Sequence, residues 1–125
     1  MGVTYDTGAL VAADRGERRM WARHRALLIR RVVPRAPAPV VAQAWPGGRQ
    51  ARLARLLNGC HVDDLDDRHA RSIGEMLGRA GTTDIVDGCV VETALRRHDL
   101  VVSSDRDDLV ALAAAVGRHL EVERP

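Results

Sequence analysis

The segment from Thr82 to Leu109 carries two clusters of aspartates, each at the start of a predicted helix. The clusters consist of Asp84 and Asp87, and of Asp105, Asp107 and Asp108. The second cluster directly follows the apolar segment Leu100–Val102, which is typical of a short strand. In an open α/β sheet, ligands bind beyond the carboxyl ends of the strands. Because Mg²⁺ and Mn²⁺ prefer oxygen ligands, these aspartates predict a divalent-cation site.

Asp6 adds a third carboxylate at the end of another predicted strand, Val3–Tyr5. Three separate segments therefore place aspartate where the carboxyl edge of a parallel sheet would lie. Clustered carboxylates repel one another, so such a group usually persists because a cation or a shared proton compensates the charge. The combination favours chemistry at this edge more strongly than any one of the residues does alone.

Each of these aspartates also fits a purely structural role. Asp84 is a suitable helix N-cap, Asp87 would lie near first-turn amides, and Ser104 with Asp107 resembles a capping box. A further acidic run around the third predicted strand is interpreted as solvated and capping; it consists of Asp63, Asp64, Asp66 and Asp67.

The predicted elements alternate as β-α-α-β-α-α-β-α-α-β-α-β, which implies a mostly parallel sheet with helices on both faces. The predicted strands are Val3–Tyr5, Arg31–Val33, His61–Leu65, Val101–Ser103 and Leu120–Val122. The predicted helices are Thr7–Ala13, Gly16–Arg31, Val40–Trp45, Arg49–Leu57, Asp67–Ala80, Asp84–Arg97 and Asp107–Val116. Pro34 is expected to end the second strand, and the run PRAPAP is expected to be a connection.

Composition limits the mechanisms that are available. The 125 residues fit a single domain spanning 1–125, with 46% hydrophobic and 29% charged residues. Every basic residue is arginine, which excludes Walker-type phosphate loops, Schiff bases and the phosphorylatable receiver domain, since each needs a lysine. The net charge of +2 is only weak support for a nucleic-acid partner. The stripe Arg49, Arg52 and Arg55 is either a solvated face or a phosphate-binding one.

Other reactive residues form no recognisable pattern. The five histidines show no metal-ligand spacing, and Ser103 and Ser104 have no evident base, so a serine nucleophile is not expected. Cys60 and Cys89 form neither a metal motif nor a disulfide framework, which predicts a reducing compartment. Without room for a signal peptide before the first strand, and without an apolar run of ~20 residues, a cytoplasmic location is expected.

The sequence resembles PIN-domain ribonucleases, specifically the VapC-like toxins of bacterial type II toxin–antitoxin modules. The resemblance covers almost the whole chain. Its motifs are VTYDTGALVAA, PAPVVAQAW followed by GRQARLARLL, TTDIVDGCVVETAL and VVSSDRDDL. It implies a small parallel sheet of four or five strands with helices on both faces, and an acidic site that binds Mg²⁺ or Mn²⁺ and hydrolyses RNA.

The resemblance also assigns roles to individual positions. Asp6, Asp87 and Asp105 match the catalytic and metal-binding acids. The auxiliary positions are Asp84, Asp108, Thr7 and Gln43. At the position of Gln43 the family usually has glutamate, and an amide oxygen can ligate a cation but brings no charge and cannot act as a base.

The expected function is therefore metal-dependent endoribonuclease activity by a homodimer, with tRNA or rRNA as candidate substrates and a cognate antitoxin as protein partner. The antitoxin is expected to lay a segment across the acidic cleft. One alternative is a degenerate PIN domain that binds RNA or antitoxin without cutting, because of Gln43. Another is an α/β interaction domain in which all the acids are helix caps.

Overall fold

Residues 2–125 are described by a computed structural model, in which five strands and seven helices follow the predicted order. The strands are β1 Val3–Tyr5, β2 Arg35–Pro37, β3 His61–Asp63, β4 Leu100–Val102 and β5 Val122–Glu123. The helices are α1 Thr7–Asp14, α2 Arg18–Ile29, α3 Ala38–Ala44, α4 Ala51–Asn58, α5 Asp67–Ala80, α6 Ile85–Arg97 and α7 Arg106–Ala114. The predicted α/β fold class is confirmed.

All strand pairs are parallel, and the sheet order is β3-β2-β1-β4-β5. From β1 the chain moves outward through β2 and β3, and then returns to the other side of β1 with β4. The order therefore reverses between β1 and β4, and such a switch point is where open α/β sheets bind ligands. Asp6 follows β1, and Asp105 lies three residues beyond the end of β4.

An aliphatic core holds the sheet against its helices. Val101 and Val102 of β4 and Val90 and Val91 of α6 are completely buried. Tyr5 is the buried aromatic of the central strand, and its hydroxyl is 3.0 Å from Nδ1 of the buried His24. Burial and hydrogen bonding fix β1, β4 and α6, which are the three elements that carry the candidate acids.

The second strand was predicted in the wrong place. Arg31 has a left-handed backbone, with φ of 59°, and the amide of Val32 donates to the carbonyl of Leu27. This is a Schellman-type helix end, so Arg31–Val33 closes α2 and cannot join the sheet. The strand is Arg35–Pro37, within the run expected to be a connection, and Pro37, which has no N–H to donate, is its last residue.

The acidic run around β3 is only partly the solvated, capping run that was predicted. Asp66 does cap α5, since its side chain accepts from the amide of His69. Asp63 is instead a structural ion-pair partner: its Oδ1 lies 2.7 Å from Arg35 Nη1 on β2 and 3.1 Å from Nε2 of His61. The parallel register places Asp63 beside Pro37 at the end of β2, which brings it close to Arg35. No helix within residues 2–125 is long and apolar enough to cross a membrane.

Candidate functional site

Asp6 lies at the switch point between β1 and β4, and hydrogen bonds fix both of its carboxylate oxygens. Its residue surface is only 5% exposed. Oδ1 accepts a 2.7 Å bond from the amide of Thr7, and Oδ2 accepts a 2.5 Å bond from the hydroxyl of Ser103. Because Ser103 directly follows β4, the second bond joins the ends of the two neighbouring strands. The Asp6 carboxylate is therefore held in one orientation.

Ser103 is a positioning residue that the sequence analysis did not identify, since it was considered only as a nucleophile. Its Oγ also accepts a 2.9 Å bond from the amide of Asp105, so one buried hydroxyl orients two acids. The capping box predicted for Ser104 and Asp107 is wrong. The turn held by Ser103 makes Asp105 the N-cap residue and starts α7 at Arg106. The available signal was a serine directly after a buried strand and two residues before an acid, which favours a serine turn.

Asp87 enters the site from the first turn of α6. The side chain of Asp84 caps this helix by accepting a 3.1 Å bond from the amide of Asp87, which confirms the capping role predicted for Asp84. Burial of the Asp87 carboxyl is the largest cause that raises its pKa to about 7. Repulsion by the surrounding carboxylates raises this pKa further; they belong to Asp84, Asp6, Asp105 and Asp108.

Three carboxylates form the tightest group at this edge. Asp87, Asp105 and Asp108 each offer an oxygen, and these oxygens all lie within 4.8 Å of one another. The pKa of Asp105 is also raised, first by partial burial and then by Asp108 and Asp6. Within residues 2–125, no ion pair involves any of these acids. Close, uncompensated oxygen donors of this kind fit a hard divalent cation.

Asp6 differs from these three acids. The resemblance assigned metal binding to Asp6, Asp87 and Asp105, whereas the closest oxygens include Asp108, which was expected to be auxiliary. Asp6 is near enough to raise the pKa of both Asp87 and Asp105, but both of its oxygens already accept protein hydrogen bonds. Each carboxylate oxygen has a second lone pair, so Asp6 retains acceptor capacity toward a ligand.

Gln43 and Thr7 lie beside each other next to Asp6. The hydroxyl of Thr7, the first residue of α1, donates a 2.6 Å bond to Oε1 of Gln43 on the exposed face of α3. The chain therefore brings Gln43 to the acidic edge even though it lies 36 residues away in sequence. Its oxygen is occupied by Thr7, and its NH₂ group brings a hydrogen-bond donor to this side of the site.

The other residues considered in the sequence analysis lie elsewhere. Arg96 and Arg97 occupy the last turn of α6, at the opposite end from Asp87, and Arg96 pairs with Glu92 at 3.0 Å. In the part of the chain described here, no histidine belongs to a group of possible metal ligands. Cys60 and Cys89 are free thiols in the structure.

Gly8 is required for the close approach of α1 to the loop that follows β4. A Cβ at Gly8 would lie 2.2 Å from Oγ of Ser104 and 3.1 Å from its backbone nitrogen. Gly8→Ala should therefore displace this loop, lower the free energy of unfolding by about 1–3 kcal/mol and weaken metal binding through Asp105. Chemical denaturation and Mn²⁺ titration measure the two effects.

The matched control for this change is Gly74→Ala on α5, where an added Cβ meets no atom within 4 Å. This variant should gain up to about 1 kcal/mol, because alanine favours the helix over glycine. Equal effects of the two substitutions on metal binding would show that the approach of Gly8 does not position Asp105.

Comparison with known proteins finds likeness in structure alone. No known family model matches the sequence, and no curated protein matches it. The fold matches a chain of VapBC2 from Rickettsia felis, determined bound to a DNA fragment from its promoter, with a TM-score of 0.73 and 13% identity over 100% of this chain and 99% of that one. It also matches PAE2754 from Pyrobaculum aerophilum, with a TM-score of 0.61 and 17% identity over 97% and 90% of the two chains.

At these identities the likeness establishes the fold and not the chemistry. The chain has the VapC-like PIN fold that the sequence motifs predicted, with a five-stranded parallel sheet between helices. Any activity has to be argued from the acidic edge itself.

Proposed function

We propose that this protein is a metal-dependent endoribonuclease that hydrolyses RNA phosphodiesters. The observation that carries the proposal is the group of Asp87, Asp105 and Asp108, whose carboxylate oxygens lie within 4.8 Å of one another at the switch point of the sheet. Burial and the repulsion of the surrounding carboxylates raise the pKa of Asp87 to about 7. A chain that only needed helix caps would gain nothing from this repulsion, because Asp84 alone caps α6. Functional sites are where such costly arrangements collect.

The roles of the residues follow from their contacts. Asp87, Asp105 and Asp108 would hold Mg²⁺ or Mn²⁺ through carboxylate oxygens, with Asp6 beside them as the fourth acid. A bound divalent ion would supply a water of lowered pKa and positive charge against the phosphate. Asp6, oriented by Thr7 and Ser103, is placed to hold or accept a proton from water at its remaining lone pairs. Asp84 acts indirectly, by fixing the first turn that carries Asp87.

Gln43 sets the strength of metal binding in this proposal. Its Oε1 accepts from Thr7, so Gln43→Glu would place a carboxylate at the same bond without a change in size. The added charge should tighten Mn²⁺ binding by about tenfold or more, equivalent to about 1.4 kcal/mol. Isothermal titration measures the change, and Asn58→Asp at the exposed end of α4 serves as the control, because it also converts an amide into a carboxylate. An unchanged affinity would show that Gln43 lies outside the electrostatic reach of the cation.

The alternative, a PIN domain that binds RNA or an antitoxin without cutting, is motivated by the same residue. A PIN domain of this kind should bind RNA whether or not metal is present, and it should produce no cleavage fragments. The third possibility, an interaction domain with structural acids only, predicts that neither metal nor RNA binds.

Protein partners are part of the proposal as well. An apolar recess of about 530 Å³ lies between α5 and the start of α6, lined by Leu65, Ile73, Leu77 and Ile85 among others. Ile85 is 58% exposed and directly follows Asp84. An exposed apolar surface of this kind supports a protein contact beside the acidic edge. The likeness to a VapBC2 chain supports an antitoxin as that partner. A second copy of the chain, as the sequence resemblance implies, would complete a homodimer.

The test is incubation of the purified chain with total cellular RNA in Mg²⁺, in Mn²⁺ and in a chelator. The proposal predicts discrete fragments in the two metal samples and intact RNA in the chelator. Mapping the fragment ends would identify the target and the cut position. Intact RNA in all three samples would overturn the nuclease and leave the two binding alternatives.

A further inference from the structure

A second charged surface lies away from the acidic edge, where α2 and α4 form a recess of about 480 Å³. Its α2 side presents Arg18, Trp21 and Arg25 at helical spacing, and its α4 side presents Arg52 and Arg55, one turn apart. We refer to these five residues as the arginine recess. All four of its arginines are exposed, so their guanidinium groups remain accessible to a ligand.

Two of the guanidinium groups are held in place by packing. Arg52 lies against Gly16, where an added Cβ would be 3.3 Å from its Cζ, and it donates a 3.4 Å bond to the carbonyl of Asp14. Arg55 lies over the ring of Trp21, with Cζ 4.7 Å from the ring centroid. Because these side chains are already ordered, a ligand that contacts them has less rotamer entropy to overcome.

Among residues 2–125, no carboxylate side chain forms an ion pair with any of the four arginines of the recess. The ion pairs found between residues 2 and 125 involve other arginines, such as Arg23, Arg35 and Arg96. A chain with a net charge of only +2 has thus left four unpaired positive charges around one concave surface. Such a surface concentrates anions, whereas scattered charges on a solvated face do not.

We infer that the arginine recess binds phosphate groups of the RNA substrate. This inference rests on the proposed nuclease function and deepens it, because it names the surface that supplies binding energy. Without its cation the acidic edge repels a polyanion, so affinity for RNA in chelator has to come from contacts remote from the reacting phosphate. Helix α1, about 12 Å long for its eight residues, begins directly after Asp6 and ends at Asp14, whose carbonyl accepts from Arg52 of the recess. One folded RNA can reach both surfaces.

The chemistry of the recess favours RNA over an acidic protein segment. Guanidinium groups match phosphate oxygens through paired N–H donors, and several converge here. A bound protein helix would need apolar anchors. The large apolar side chain that lines the recess is Trp21, and its ring is covered by Arg55.

The inference is tested by RNA binding to the full chain in chelator, where RNA is expected to stay intact. Fluorescence anisotropy gives Kd for a labelled stem-loop RNA at several salt concentrations. Arg52→Ala/Arg55→Ala should raise Kd by about tenfold or more and lower the salt slope by about one to two. The control is Arg68→Ala/Arg71→Ala on the exposed face of α5, which removes equal charge and should change Kd less than twofold.

Arg18→Ala/Arg25→Ala is the second variant, because these two arginines have no packing role like that of Arg55 on Trp21. It should also raise Kd, and in a metal-supported cleavage assay both recess variants should raise KM with kcat unchanged. Equal losses in recess and control variants would overturn the inference, as would a recess variant that loses a protein partner but keeps RNA.

Failure of the inference about the arginine recess can be distinguished from failure of the proposed nuclease function. If wild-type protein cleaves RNA and the recess variants behave like the control, only the inference fails. If wild-type protein neither binds nor cleaves RNA, the proposed function fails with it.

Discussion

Replacing Asp87 with Asn should lower the rate of metal-dependent RNA cleavage by about 10³-fold or more. Asp87 belongs to the closest group of carboxylate oxygens and has the most strongly raised pKa among the acids of the site. The substitution keeps the shape of the side chain but removes a charged ligand. A loss of several kcal/mol of transition-state stabilisation corresponds to a rate effect of this order. The measurement is the initial rate of cleavage of a defined RNA at saturating Mn²⁺.

Asp107→Asn is the matched control, because its side chain is 98% exposed in the first turn of α7, next to Asp108. It removes the same charge from the first turn of a different helix and should leave the rate within about twofold of wild type, as expected for an exposed charge screened by solvent. A fully active Asp87→Asn protein, or equal losses in both variants, would contradict the role assigned to Asp87.

The same residue should make stability depend on pH and on metal. The folded protein raises the pKa of Asp87 from 3.8 to about 7, so between these values the folded state holds a proton that the unfolded state releases. The contribution of Asp87 to stability is therefore lost as pH rises from about 4 to 7, by linkage. In chelator at pH 8, Asp87→Asn should be more stable than wild type by about 1–2 kcal/mol, a value reduced for solvent screening of a half-buried group.

At pH 5 only about a third of the difference between the two proteins should remain, because the folded state is then still protonated at Asp87 while the unfolded state has released its proton. Comparison with the variant is needed because the pKa of buried His24 is lowered, which makes stability rise with pH over an overlapping range. Denaturant titrations at pH 5 and pH 8 measure the difference. A variant that is less stable than wild type at pH 8 in chelator would show that the acidic group is not under repulsion.

At pH 8, added metal should make wild-type protein more stable than Asp87→Asn, which is the reverse of their order in chelator. A ligand that binds only the folded state at a hundred times its Kd stabilises by about 2.7 kcal/mol. Wild-type protein should gain this stability from Mn²⁺, while Asp87→Asn should gain far less. The gain should be smaller at pH 6, because the cation then competes with the proton on Asp87.

The sequence predicted the order of elements and the three segments that carry the acids, because these depend on local signals. The helix predicted from hydrophobic spacing over Asp67–Ala80 has the same first and last residues as α5, and the apolar segment before Asp105 indicated β4. The position of β2 could not be obtained in this way. Val32 and Val33 are strong strand formers, yet the left-handed Arg31 commits them to the end of α2, while the polar segment Arg35–Pro37 is recruited by its neighbours β1 and β3.

The site was predictable as a set of acids but not as a geometry. Nothing local indicates that Ser103 bonds to Asp6, since this contact spans 97 residues and depends on the pairing of β1 with β4. Likewise, the sequence could not predict that Asp108 lies in one close group with Asp87 and Asp105. The distances between these carboxylates depend on how α6 and α7 pack against each other. The arginine recess was visible only as a stripe on α4, without the arginines of α2 that complete it.

The most direct test of the account measures Mn²⁺ occupancy and RNA cleavage rate in the same samples. Electron paramagnetic resonance gives bound Mn²⁺, and initial rates on a labelled RNA give activity, as Mn²⁺ is titrated at pH 8. The account predicts that the rate rises in proportion to a saturable occupancy, and that Asp87→Asn loses both. Cleavage that persists in chelator, or a fully occupied site with no cleavage, would contradict it.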